Sequence, residues 1–204
     1  MALDGELFVV MDYVQGESLS KLLRGNTSLG TRIPVKIVTA IMAGVLHGSH
    51  AAHECKTARG EPLTIVHRDV SPQNVMVGAD GVARVLDFGI AYVAGRVEPT
   101  DEGRIAGKLA YMSPEQLSGH KVDRHSDIYS AAVVLWELLT GQRLFSSESH
   151  AALSHRVFSG AVDPPSKHAP ELPPPLEEVV MRGLALRPED RWSSAREMAV
   201  ALER

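Results

Sequence analysis

Apolar and polar positions change period several times along the chain, and each change marks an element. GELFVVMDYV, residues 5–14, is rich in β-branched and aromatic residues, the composition of a strand, and Asp4-Gly5 is a hairpin-turn dipeptide at its start. ESLSKLL predicts a short helix. Pro34 suits a first helical turn, and Val35 to Ala52 then repeats its apolar residues with helical spacing. LTIVH, NVMVG and ARVLDF read as short strands, with ADG turning the chain between the last two. Gly89 to Lys108 is long, polar and glycine-bearing, which predicts a loop. Asp127 to Thr140 is apolar almost all round, the mark of a helix buried on every side. Shorter helices follow, separated by proline-rich stretches such as ELPPPLEE, and Ser194 with Glu197 forms a capping box for the last one. No internal repeat or low-complexity segment interrupts the series. The pattern predicts an α+β domain, mostly α-helical, with a few short β-hairpins.

Composition narrows the picture only slightly. The chain has 204 residues, 44% hydrophobic and 23% charged, which suits one soluble domain with a sizeable core. A net charge of −4 gives no reason to expect nucleic acid or an anionic membrane as partner. Cys55 is the single cysteine, so no intrachain disulfide can form, in keeping with a cytoplasmic setting. Asp4 and Glu6 near the start do not suit a signal peptide. The most apolar run, Ile128 to Leu139, is broken by Glu137 and falls short of the ~20 residues a membrane span needs.

Three motifs carry the chemistry. HRDVSPQN at 67–74, DFG at 87–89 and SPE at 113–115 occur in the order of the protein-kinase signature set. With a strand before DFG and a long loop after it, the chain resembles the C-terminal lobe of a eukaryotic-like protein kinase of bacterial type. The resemblance implies a kinase C-lobe over 15–204, the last strands of the N-lobe and the hinge over 1–14, and an activation segment over 87–115. Phosphoryl transfer needs positioning and charge neutralisation more than covalent chemistry. By the resemblance, Asp69 accepts or orients the substrate hydroxyl proton, and Asn74 and Asp87 bind the Mg²⁺ that accompanies ATP. Hard oxygen donors of this kind suit magnesium. The plain alternative makes Asp69 and Asn74 turn formers and Asp87 a strand end.

One part of the pattern departs from the family. Most Ser/Thr kinases carry a lysine two residues after the catalytic aspartate, and this chain has Ser71. The family's GT..Y threonine near the end of the activation segment is replaced in GKLAY by Lys108. A cation has left one side of the site and appeared on the other. Lysine has a flexible stem and a compact charge, so Lys108 is expected to fill the vacancy with its ammonium within about 4 Å of the Asp69 carboxylate. The opposing reading is a surface lysine and an inactive site.

The same resemblance assigns supporting roles. Arg68 implies control by a phosphate on the activation loop, with Thr100 as the acceptor. Glu115 is expected to pair with Arg191, and Asp127 to accept hydrogen bonds from the catalytic-loop backbone. His67 and Phe88 are structural members of their motifs. FVVMDYV resembles the hinge: Met11 takes the gatekeeper position, the Asp12 carbonyl and Val14 amide face the adenine edge, and Met76 packs beneath the ring. His47, His50, His53 and Cys55 are metal-ligand residue types, but on a helix they do not share a face.

The Gly-rich loop, the strand-borne lysine and its glutamate partner do not occur in the sequence. The N-lobe is therefore expected to be largely absent, the chain to be a fragment with poor activity alone, and Leu86, Phe88 and Met76 to form an exposed apolar upper face open to association. The expected function is ATP-dependent phosphorylation of serine or threonine in protein substrates. The alternatives are a non-catalytic, pseudokinase-like interaction module and a small-molecule phosphotransferase, the long segment ending in SPE arguing against the latter.

Overall fold

A computed structural model describes residues 2–3, 6–7, 12–88, 107–146 and 149–204. Strands β1 (Ala2–Leu3) and β2 (Glu6–Leu7) pair antiparallel, with Ala2 opposite Leu7. The expected turn at Asp4-Gly5 and the continuation of the strand over 8–11 lie outside the described residues. Residues 12–15 form no regular element.

A second sheet has three antiparallel strands in the order β3 (Gly16–Ser18), β4 (Val75–Gly78) and β5 (Ala83–Val85). The β4–β5 hairpin follows the sequence pattern. Asp80 Oδ1 accepts the Val82 N–H at 3.0 Å, and Gly81 has φ 77°, a conformation that glycine adopts without steric cost. Strand β3 corrects the reading of ESLSKLL as helix throughout. Its residues Gly16 to Ser18 pair with β4, and helix α1 (Leu19–Ser28) starts after them. Gly16 permits that pairing, because a Cβ there would lie 2.2 Å from the Val77 carbonyl oxygen.

Helix α2 (Val35–His53) matches its predicted span. By length and composition alone it is long and apolar enough to cross a bilayer, with mean hydropathy 1.2. In the fold it packs against β5 and two other helices, α4 (Arg124–Thr140) and α7 (Ala195–Leu202). Every residue of α4 from Ser126 to Thr140 is buried, which is why its sequence shows no polar face. Around it lie α3 (Pro114–Leu117), α5 (His150–Ser159) and α6 (Pro174–Gly183). Ser194 caps α7 by accepting the Glu197 N–H at 3.2 Å.

LTIVH is not a strand. Thr64 has φ 48°, and further on the amides of His67 and Arg68 bond to a side-chain carboxylate rather than to a neighbouring strand. Leu63 and Thr64 are exposed and Ile65 and Val66 half-buried, so the segment is an irregular connection that becomes buried only at His67.

Candidate active site

The β4–β5 hairpin fixes two of the three oxygen-bearing residues. Val75 pairs with Val85, so Asn74 before β4 and Leu86 after β5 fall at the same end of the ladder. The Leu86 N–H donates to the Asn74 carbonyl at 2.8 Å, and Asp87 follows directly. Asp87 has φ 56°, is exposed, and has no side-chain partner among the described residues. Asn74 Nδ2 donates to the Asp69 carbonyl at 2.8 Å, which leaves its Oδ1 as a free acceptor at this edge. Asp69 is thus tied to Asn74 by a side-chain hydrogen bond, and Asn74 to Leu86, the neighbour of Asp87, by a backbone one.

The catalytic-loop backbone hangs from the buried helix. Asp127 Oδ2 accepts the His67 N–H and Oδ1 the Arg68 N–H, each at 2.8 Å. His53 Nε2 approaches the same carboxylate at 2.7 Å from α2, with both side chains fully buried. Arg68 takes φ 67°, a region disfavoured for a residue with a Cβ. That conformation is over-determined: Asp127 holds the amide, and Gln116 Nε2 donates to the Arg68 carbonyl at 2.8 Å. His67 Nε2–H donates to the Leu86 carbonyl at 2.8 Å, so its Nδ1 accepts the Asp69 N–H at 3.2 Å. The Phe88 ring lies 4.6 Å from the His67 ring, joining the DFG segment to the loop.

Lys108 points inward. Its Nζ lies 2.8 Å from Asp69 Oδ2, inside the separation expected from the sequence, while 58% of the lysine side chain stays exposed. Residues 107–109 are helical, which anchors the stem. Ser71 is buried beneath the loop, where its carbonyl accepts the Asn74 N–H at 3.0 Å.

Two ionic clusters built on buried carboxylates brace the floor. Arg191 meets both oxygens of Glu115, at 2.7 and 2.9 Å, and Ser126 Oγ donates to Glu115 at 2.6 Å. Burial pushes the Glu115 carboxyl up, but the hydrogen bonds from Arg191 and Ser126 outweigh it and hold the group at about 2. The second cluster joins Tyr111, Glu137 and Arg143. Tyr111 O–H donates to Glu137 Oε2 at 2.8 Å, the Leu144 N–H reaches Oε1 at 3.2 Å, and Arg143 donates to the Tyr111 hydroxyl. Burial raises the Glu137 carboxyl, with Arg143 and the two hydrogen bonds opposing it.

Other expected positions separate. Met11 and Thr100 lie outside the described residues. Asp12 is exposed and Val14 half-buried, and neither the Asp12 carbonyl nor the Val14 amide is bonded among the described residues. Met76, Leu86 and Phe88 are half-buried, which corrects the expectation of an open apolar face. His47 turns to Glu203 at 2.9 Å while His53 faces Asp127, so the histidines of α2 serve different neighbours. Sequence reasoning passed over Gln116, His53 and the Tyr111–Glu137–Arg143 cluster. An acid in the middle of an apolar helix was the available signal for Glu137, because a buried carboxylate requires partners.

Comparisons with known proteins give the family. The protein kinase domain family matches residues 1–201. The chain belongs to the protein kinase family. This kinase chain is 38% identical over 200 residues to the tyrosine-protein kinase MasK of Myxococcus xanthus, covering 98% of the chain and 31% of that protein. It is 35% identical over 198 residues to the serine/threonine-protein kinase PknH of Mycobacterium bovis, covering 97% of the chain and 31% of the relative. The crystal structure of the Mycobacterium tuberculosis PknI kinase domain superposes with a TM-score of 0.69 at 28% identity, covering 98% of this chain and 66% of that one. The kinase chain spans about a third of the length of these curated relatives. The expectation of a C-terminal lobe with the N-lobe largely absent is corrected. The family match begins at residue 1, and nearly the whole chain follows a solved kinase domain.

Proposed function

We propose that the chain transfers the terminal phosphate of ATP to a serine or threonine hydroxyl of a protein, with Mg²⁺ held by Asn74 and Asp87. The observation that carries this reading is the 2.8 Å contact of Lys108 with Asp69, on the edge where Asn74 and Asp87 also gather. The donor set fits magnesium: one amide oxygen and one carboxylate, both without protein partners among the described residues. Magnesium, when bound, neutralises phosphate charge. Asp69 orients the acceptor hydroxyl and takes its proton. Lys108 supplies the positive charge that Ser71 lacks. The unbonded Asp12 carbonyl and Val14 amide suit the adenine edge, with Met76 beneath the ring.

A tyrosine acceptor is the second reading, favoured by the likeness to MasK. The Pro72 context, the absence of an AAR pattern and the relatives named as serine/threonine kinases favour serine or threonine. Phosphoamino-acid analysis of a labelled substrate separates the two. In the full-length protein, Lys108→Ala is expected to lower kcat/KM by about 10²–10³, the usual loss of one preorganised charge-stabilising donor. Lys108→Arg should recover part of it. Unchanged turnover in Lys108→Ala would remove the lysine from the mechanism.

A further inference from the structure

We infer that the cavity beside the catalytic loop is a specificity pocket for an anionic side chain of the protein substrate, with Arg143 and Arg24 as its anchors. This deepens the phosphotransfer reading and rests on it. The cavity measures about 500 Å³ and is lined by Arg24, Thr27, Pro72, Gln73, Glu137 and Arg143, among others. Gln73 stands four residues after Asp69 in the same loop. At no more than ~3.6 Å per residue the two lie within about 14 Å. An extended substrate covers that distance in about four residues, so a side chain close to the acceptor hydroxyl reaches the pocket.

The charge of the walls decides what fits. Glu137 is the single acidic residue on the lining, and its carboxylate is engaged within the protein. It is 3% exposed. Its Oε1 accepts the Leu144 N–H, and its Oε2 accepts the Tyr111 hydroxyl and lies 3.5 Å from Arg143. A cationic substrate side chain would meet a buried carboxylate already engaged by Leu144, Tyr111 and Arg143. The two guanidinium groups differ. Arg143 leaves 54% of its side chain exposed and uses only Nη1 in its contacts within the cluster. Arg24 is exposed, and its side chain has no ion pair or hydrogen bond among the described residues. The pocket therefore offers two planar, charged groups, Arg24 unpaired and Arg143 engaged through Nη1 alone among the described residues, the kind of donor that binds carboxylate or phosphoryl groups. Arg143 turns the wall from acidic to basic: it pairs with Glu137 through Nη1 and keeps more than half of its side chain exposed on the lining.

The test uses the full-length protein and serine-acceptor peptides. Glutamate, alanine, lysine or phosphoserine is placed in turn at each position within four residues of the acceptor. Glutamate at one or two positions is expected to raise kcat/KM about tenfold over alanine, the worth of one charge-assisted hydrogen bond, with lysine below alanine. Phosphoserine exceeding glutamate at those positions would identify a phosphorylated residue as the natural occupant; equality would identify Asp or Glu. The glutamate-to-alanine ratio should fall toward one in Arg143→Gln and shrink in Arg24→Gln. Arg24→Gln lies on the surface and tests the pocket even if Arg143→Gln disturbs the Glu137 cluster. A lysine preference, no glutamate effect at any position, or a ratio unchanged in both variants overturns the proposal. If no peptide is phosphorylated, the phosphotransfer reading fails separately. Anisotropy with alanine-acceptor peptides then still decides the pocket: tighter binding of the glutamate peptide, lost in Arg24→Gln, supports it, and equal binding refutes it.

Discussion

Glu115→Gln removes one charge from a buried pair and leaves the volume almost unchanged. Arg191 is 2% exposed, and its remaining donors reach the carbonyls of Ala185, His125 and Leu186 at 2.8, 3.0 and 2.9 Å. The guanidinium therefore ties two segments, at 125 and at 185–186, to Glu115 and cannot turn to water when its partner is lost. In the variant, an amide N–H₂ would face a guanidinium N–H. Breaking a buried pair from one side costs about 3–5 kcal/mol. An independent figure comes from the Glu115 carboxyl, which moves from 4.5 to about 2. At about 1.4 kcal/mol for each tenfold change in proton affinity, that is roughly 3 kcal/mol as an upper bound. The two agree in size. For a chain of this length the loss lowers Tm by about 10 °C. The sign with pH follows from a depressed folded-state value. The contribution is complete above about 4.5 and disappears as pH falls toward 2. Urea unfolding of both proteins should give a gap of about 3 kcal/mol at pH 7, narrowing by about 1 kcal/mol at pH 3.5. A gap under about 1 kcal/mol at pH 7, the size of an exposed pair, or one that widens on acidification, refutes the argument.

Two further outcomes follow from other parts of the frame. Asp127→Ala takes away the acceptor of the His67 and Arg68 amides and of His53; it should cost about 3 kcal/mol or more and speed hydrogen exchange at those two amides, and unchanged protection there would show that the loop is held by something else. Gly16→Ala places a Cβ 2.2 Å from the Val77 carbonyl oxygen, so β3 must shift from β4 at a cost of about 1–3 kcal/mol, and a Tm equal to that of the parent would mean the strands are not in this register.

Helices with a clear period were legible in the sequence, and so was the hairpin that carries the site. Val35–His53 and the helix around Ile128–Leu139 fell close to their predicted bounds because burial acts directly on side-chain spacing. Gly16–Ser18 was not legible as a strand. Its pairing partner lies some sixty residues away in β4, and short polar residues give no local period. LTIVH failed in the opposite direction: its composition suits a strand, but the following amides are claimed by Asp127, a residue sixty positions on. Lys108 could be placed beside Asp69 because two departures from one motif had a shared electrostatic explanation. The half-burial of Phe88 was hidden because its tilted ring contact with His67 has no signature in either motif.

Lys108 and Asp69 are 39 residues apart in sequence, so the ammonium and the carboxylate it meets belong to separate stretches of chain. A lysine resident on the catalytic loop would sit beside its aspartate whatever the rest of the domain was doing. A lysine borne by the later segment arrives only when that segment docks. The free energy of docking and the free energy of completing the charge at the aspartate are then one quantity, and any partner or modification that moves the segment alters both by the same amount.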